Sequence, residues 1–154
     1  MLAVEFYDCV VAVHVMSIVI AFGVTFAYPI MGPFIGKNAP QATASFHRMQ
    51  ERIGKLVITP FATVALITGI YLAADRDLFS KVWVSVPLVI LLIQFGLGGA
   101  FFAPTARKAA DLAETKPGSP EYFALLTRAK QVGIASELMI LVAIFFMVAK
   151  PGGY

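Results

Sequence analysis

The sequence predicts an all-α fold, a four-helix transmembrane bundle, and three observations carry that prediction. Hydrophobic residues make up 59% of the 154-residue chain against 14% charged, and the mean hydropathy of +0.82 lies outside the soluble globular range. Four apolar runs reach spanning length or close to it, at residues 9–31, 56–74, 82–102 and 133–149. The breaks between them are rich in glycine, proline and charge. One transmembrane domain over residues 1–154 is expected, with helical extensions into water at 42–55 and 105–132.

In the first span, His14, Ser17, Ala21, Thr25 and Tyr28 fall on one face at helical spacing. Helix packing in lipid selects small residues and polar ones that find partners across the contact, so this face should look into the protein. Tyr28-Pro29-Ile30-Met31-Gly32-Pro33 is expected to stop the helix at the membrane surface. Glu5 and Asp8 before a full-length span read as a retained helix, since a signal peptide needs a basic start and a short apolar core.

Asn38-Ala39-Pro40 marks a turn, after which residues 42–55 read as a polar helix feeding directly into the second span. Glu51 and Lys55 have the spacing of an i,i+4 pair. Ala65, Gly69 and Ala73 recur every four residues, a face that lets two helices approach closely. Asp75-Arg76-Asp77 closes the span with a charged turn, and Trp83 stands where an interfacial aromatic anchor belongs.

The third span tolerates Pro87 near its start and carries Gln94 at mid-depth, expected to hydrogen-bond between helices. Its glycines, Gly96 among them, imply close backbone packing. Lys116-Pro117-Gly118 forces a turn, and Ser119, Pro120 and Glu121 supply a cap, a first-position proline and a first-turn acid. The last helix should then run from Pro120 to Ala149, about 45 Å, well beyond a hydrocarbon core of roughly 30 Å. Gly23-x-x-Phe26-x-x-Pro29 recurs as Gly98-x-x-Phe101-x-x-Pro104, an offset of 75 residues that suits a parallel duplication of a two-helix hairpin.

Nine basic residues lie on the side of the first and third loops and three on the other, which places both long loops in the cytoplasm and both termini outside. The net charge of +3 is spread over loops with no basic stripe, which argues against nucleic-acid binding. One cysteine, Cys9, excludes an internal disulfide and any cysteine-built zinc or iron–sulfur site. No histidine pair at metal spacing, phosphate loop or serine nucleophile with a histidine base appears, so the reading leans away from an enzyme.

Besides serine, threonine and tyrosine, the polar residues inside spans are His14, Gln94 and Glu137. His14 is the sharpest candidate, because an intramembrane ionisable group marks a function by default. Its two readings are an imidazole bonded to Ser17, Thr68 or a backbone carbonyl, and an axial haem or other metal ligand, with Met147 near its level as a second ligand. Glu137 lies too far along the membrane normal to touch His14, about 6 Å inside one boundary against about 8 Å inside the other for His14. It is expected to pair with a cation at the loop end, Arg52, Lys55 or Arg128, with a transport role as the alternative. His47, on the polar helix, is expected to be solvated.

His14 followed by Phe22-Gly23, the Thr68-Gly69-Ile70-Tyr71-Leu72 close of the second span, Trp83 opening the third, and Pro104-Thr105-Ala106-Arg107-Lys108 together carry a resemblance. Over nearly its whole length the chain resembles a bacterial family of four-helix integral membrane proteins of unassigned function. More distantly it is similar to copper-resistance protein D and the HemJ-type protoporphyrinogen oxidase membrane proteins. The HemJ likeness implies haem at a first-span histidine, which carries over to His14. The tryptophan that often follows that histidine is replaced by the stretch from Ile18 to Ala21, and no second histidine lies in a span, which argues against the oxidase activity. The spans also lack the clustered His, Met and Cys of a copper path.

Two functions follow as expectations. One is a small redox-associated protein of the bacterial inner membrane that holds haem through His14. The other is a non-catalytic subunit or scaffold whose small-residue faces, Ser17 and Ala21, Ala65 with Gly69 and Ala73, and Gly96, bind other membrane helices or a second copy.

Overall fold

The computed structural model describes residues 5–153, and four long helices account for nearly all of them: α1 (Phe6–Asn38), α2 (Pro40–Asp75), α3 (Val82–Thr115) and α4 (Pro120–Ala149). Each is long and apolar enough to cross a membrane. The chain is therefore a multi-pass integral membrane protein with an all-α fold. The α1–α2 and α3–α4 connections lie at one end of the bundle, here called the loop end. The α2–α3 connection and both chain termini lie at the other, the terminal end.

Small residues let helices approach closely in lipid, and the deep core combines alanines with a few large apolar side chains. Ala21 and Phe22 of α1, Ala62 of α2, Leu91 of α3 and Ile140 of α4 form one cluster, with Ile18, Phe26, Phe61 and Phe95 packed on it. Ala21 and Ala65 are fully enclosed. Other large apolar side chains point outward: Val19, Ile67, Leu92 and Phe145 are all exposed, as lipid-facing positions should be. A second cluster, Ala73, Trp83 and Val84, closes the terminal end, where the Trp83 indole Nε1 donates to the Gly153 carbonyl at 3.1 Å.

α1 corrects one expectation, because it does not stop at Pro29 and Pro33 but runs on to Asn38. The reason is the turn that precedes the proline. A helix-interior proline loses one backbone bond, and its ring collides with the carbonyl four residues back. In α1 a 3₁₀ turn, Val24–Ala27, stands two residues before Pro29. In α2 and α3 π-helical turns, Gly54–Ile58 and Gly98–Phe102, stand two residues before Pro60 and Pro104. Each turn changes the backbone pairing locally, and the helix resumes with the proline at its second position. The repeated Gly-x-x-Phe-x-x-Pro motif thus marks a local irregularity before a proline in both α1 and α3, tightened in the first and widened in the second.

Beyond the apolar level the helices continue as a second, water-facing bundle. Ala109, Leu112 and Tyr122 form its core, with Phe46 and His47 also buried there. Ion pairs rim it: Arg48 with Glu114 at 2.8 Å, Arg107 with Glu51 at 2.9 Å, and Lys108 with Glu121 at 3.0 Å. The expected Glu51–Lys55 pair forms at 2.8 Å. α4 starts as its sequence predicts, the Ser119 hydroxyl accepting from the Tyr122 N–H at 3.2 Å.

Candidate functional site

α1 and α2 meet along the faces the sequence marks. Ser17 and Ala21 on α1 are buried, as are Ala65 and Ala73 on α2. Between them lies Gly69, whose role is steric: a Cβ there would stand 3.0 Å from the His14 Cε1. The absent side chain leaves room for the imidazole to lie flat against α2.

The His14 ring is held at one nitrogen. Nδ1 lies 2.9 Å from the Ala65 carbonyl oxygen and 3.0 Å from the Thr68 hydroxyl. A carbonyl only accepts, so Nδ1 carries the proton and donates. The Thr68 hydroxyl spends its own hydrogen on the Val64 carbonyl at 2.7 Å, which leaves its lone pairs for the imidazole. The Ala65 carbonyl, with two lone pairs, can accept from the imidazole in addition to its helical partner. Nε2 is then the unprotonated nitrogen. It has no hydrogen-bond partner among the described residues and is not fully enclosed.

Gln94 and Ser136 form the second polar contact in the membrane half. The Gln94 Nε2 donates to the Ser136 carbonyl at 2.9 Å, and the Ser136 hydroxyl donates back to the Gln94 Oε1 at 2.7 Å. This reciprocal pair ties α3 to α4 and is the interhelical bond expected of Gln94.

Three expected placements are corrected. Glu137, one residue past Ser136 and half-buried, makes no ion pair or hydrogen bond among the described residues. Arg107 and Lys55 both bind Glu51, Arg128 stacks over the Phe101 ring at 5.7 Å, and Arg128 stands nine residues away along α4, about 13 Å. Gly96 is exposed with open space beside it, so it packs no helix of this chain. Met147 packs with Phe146 against Ala73, Trp83 and Val84 at the terminal end, while His14 is bonded at Ala65 and Thr68. These contacts do not pair Met147 with His14.

His47 also departs from expectation, since it is buried. The polar helix carrying it is not alone in water: its inner face packs on α3, and the opening of α4 closes over it. Nδ1 donates to the Gln50 Oε1 at 2.9 Å, and the Tyr122 hydroxyl donates to Nε2 at 3.0 Å. Burial pulls the imidazole below its ordinary value of 6.5, against the raising effect of the Gln50 bond. Burial likewise pushes the Tyr122 phenol up. On the rim, the Lys55 and Arg107 bonds hold the Glu51 carboxyl below the usual carboxylate range, and the Lys108 bond does the same for Glu121.

The chain belongs to the DUF2269 family of predicted integral membrane proteins. The family model matches residues 8–151, which covers all four helices. No curated protein and no solved structure matches the chain.

Proposed function

We propose that this family member is a redox-associated membrane protein that holds haem, or another metal-centred cofactor, through the Nε2 of His14. The observation that carries the reading is the pinned Nδ1 proton. A histidine ligand needs a neutral ring with its lone pair on the coordinating nitrogen, and a backbone carbonyl on the other nitrogen is the usual device that fixes it. Ala65 and Thr68 supply that device, and Gly69 supplies the room. Haem, when bound, contributes one-electron redox chemistry. The chain's own part is to hold the imidazole, fix its tautomer and set its depth in the membrane. Met147 packs against Ala73, Trp83 and Val84, so His14 is the residue of this cluster that would hold the group.

The positive-inside bias supports placing the loop end in the cytoplasm and both termini outside, in a bacterial inner membrane. The test is the visible spectrum of the detergent-purified protein, oxidised and reduced, after expression with haem precursor. A Soret band that disappears in His14→Ala supports the reading. A colourless protein, or a band unchanged in His14→Ala, removes it.

A second reading, a helix-binding subunit of a larger membrane assembly, draws support from a different observation. Gly96 is exposed on α3 with open space beside it, and the half-buried Glu137 has no ion pair or hydrogen bond among the described residues. Co-purification of a defined membrane partner tests it.

A further inference from the structure

At the terminal end a second group is held on one side and open on another. Arg76 follows the last residue of α2, between Asp75 and Asp77, yet makes no ion pair or hydrogen bond with either aspartate or with any other described residue. Its guanidinium turns instead across the seam to α1, where the Cζ lies 3.8 Å over the centre of the half-buried Tyr7 ring. Stacking uses the flat face of the group. The five N–H donors lie in its plane and remain available at the edge.

Both helices give the same separation between this cation and the open imidazole. Tyr7 stands seven residues before His14 on α1, and Arg76 stands seven residues after Gly69, against which the imidazole lies. Seven residues make two helical turns, which returns each pair to one face and sets its members about 10 Å apart along the axis. The α1–α2 seam therefore presents a cation at the rim and an unprotonated nitrogen two turns below it. A ligand that answers both carries an acid at one edge and a metal about one macrocycle radius and a short side chain away. A porphyrin with carboxylate side chains is such a molecule, its acids suited to the wet rim and its ring to the apolar level.

We propose that Arg76 anchors the carboxylate edge of the group held by His14, which makes that group a porphyrin with free acid side chains. The inference rests on the His14 reading and names the class of cofactor and its second contact. Arginine suits the task because it stays charged and its planar fork of donors pairs with both oxygens of a carboxylate.

The experiment titrates the detergent-purified full chain with iron protoporphyrin IX and with its dimethyl ester, reading the Soret shift of ligation. Comparing the ratio of the two affinities between chains cancels the different partition of the two compounds into detergent. Arg76→Gln should bind the free acid about tenfold more weakly than the native chain does while its affinity for the ester is unchanged, and Lys81→Gln at the same end should keep the native ratio. Circular dichroism checks that both variants retain the helical fold. A native ratio in Arg76→Gln overturns the proposal, and if His14→Ala still loses the band the His14 reading stands. An equal fall in Lys81→Gln marks a general charge effect and also overturns it. The lack of any His14-dependent band with either compound removes the His14 reading and this proposal with it.

Discussion

The two histidines of this chain have the same tautomer and opposite fates. In the membrane half, His14 donates from Nδ1 to the Ala65 carbonyl and Thr68 and leaves Nε2 without a partner among the described residues. In the water-facing half, His47 donates from Nδ1 to Gln50 and has its Nε2 capped by the Tyr122 hydroxyl. His47 is a closed polar lock: every ring nitrogen is used, and its role is to tie α2 to α4. His14 uses one nitrogen to hold its place and keeps the other available. The difference separates a packing histidine from a candidate ligand more sharply than burial does, because both rings are largely covered.

The largest way to break the comparison is to displace the His14 ring. Gly69→Leu puts a side chain where the imidazole lies, and overpacking of that kind costs about 3 kcal/mol. We expect the loss in reversible detergent unfolding, together with loss of any His14-dependent cofactor signal. Gly133→Ala serves as the contrast, since its added methyl meets open space, and stability should barely change.

Next in size is Tyr122→Phe, which removes the hydroxyl that caps His47 and leaves a buried acceptor unpaired at a cost of about 2 kcal/mol. It also makes the His47 Nε2 open, as in His14. If His47 then acquires ligand behaviour, the open nitrogen rather than the membrane setting is what matters.

The smallest effect is the most specific in sign. Burial lowers the folded-state pKa of His47 below 6.5, so the unfolded chain takes up the proton first as pH falls. His47 therefore costs nothing above about pH 6.5, and stability declines as pH drops below that value until the folded-state pKa is passed. Unfolding midpoints measured on both sides of this window should show a step that His47→Gln removes.

Much of the fold was legible because it is local. The bounds of α4 follow from Ser119, Pro120 and an uninterrupted apolar run, and the Ala65, Gly69, Ala73 face follows from spacing alone. Gln94 was legible as an interhelical donor because a lone amide in lipid has few other uses. The extension of α1 through Pro29 was not legible, since a proline ends a helix or not according to the turn before it, and the 3₁₀ turn at Val24–Ala27 has no sequence mark beyond the repeat. His47 and Glu137 were misplaced for a common reason. Whether a polar side chain is paired depends on which helix arrives from far along the chain: Tyr122 reaches His47, while among the described residues no cation reaches Glu137. The His14 candidacy was visible in the sequence. Its pinned proton was not, because that rests on a backbone carbonyl of another helix.

Nitrogen-15 NMR of the histidine-labelled protein, with His14→Gln and His47→Gln to assign the two rings, tests that proton directly. The account predicts both rings neutral at pH 7.5 with the hydrogen on Nδ1, and at His14 an unprotonated Nε2 whose signal moves when a metal-centred ligand is added. A proton on the His14 Nε2 would contradict it, since the ring would then present no lone pair outward and the case for ligation would fall.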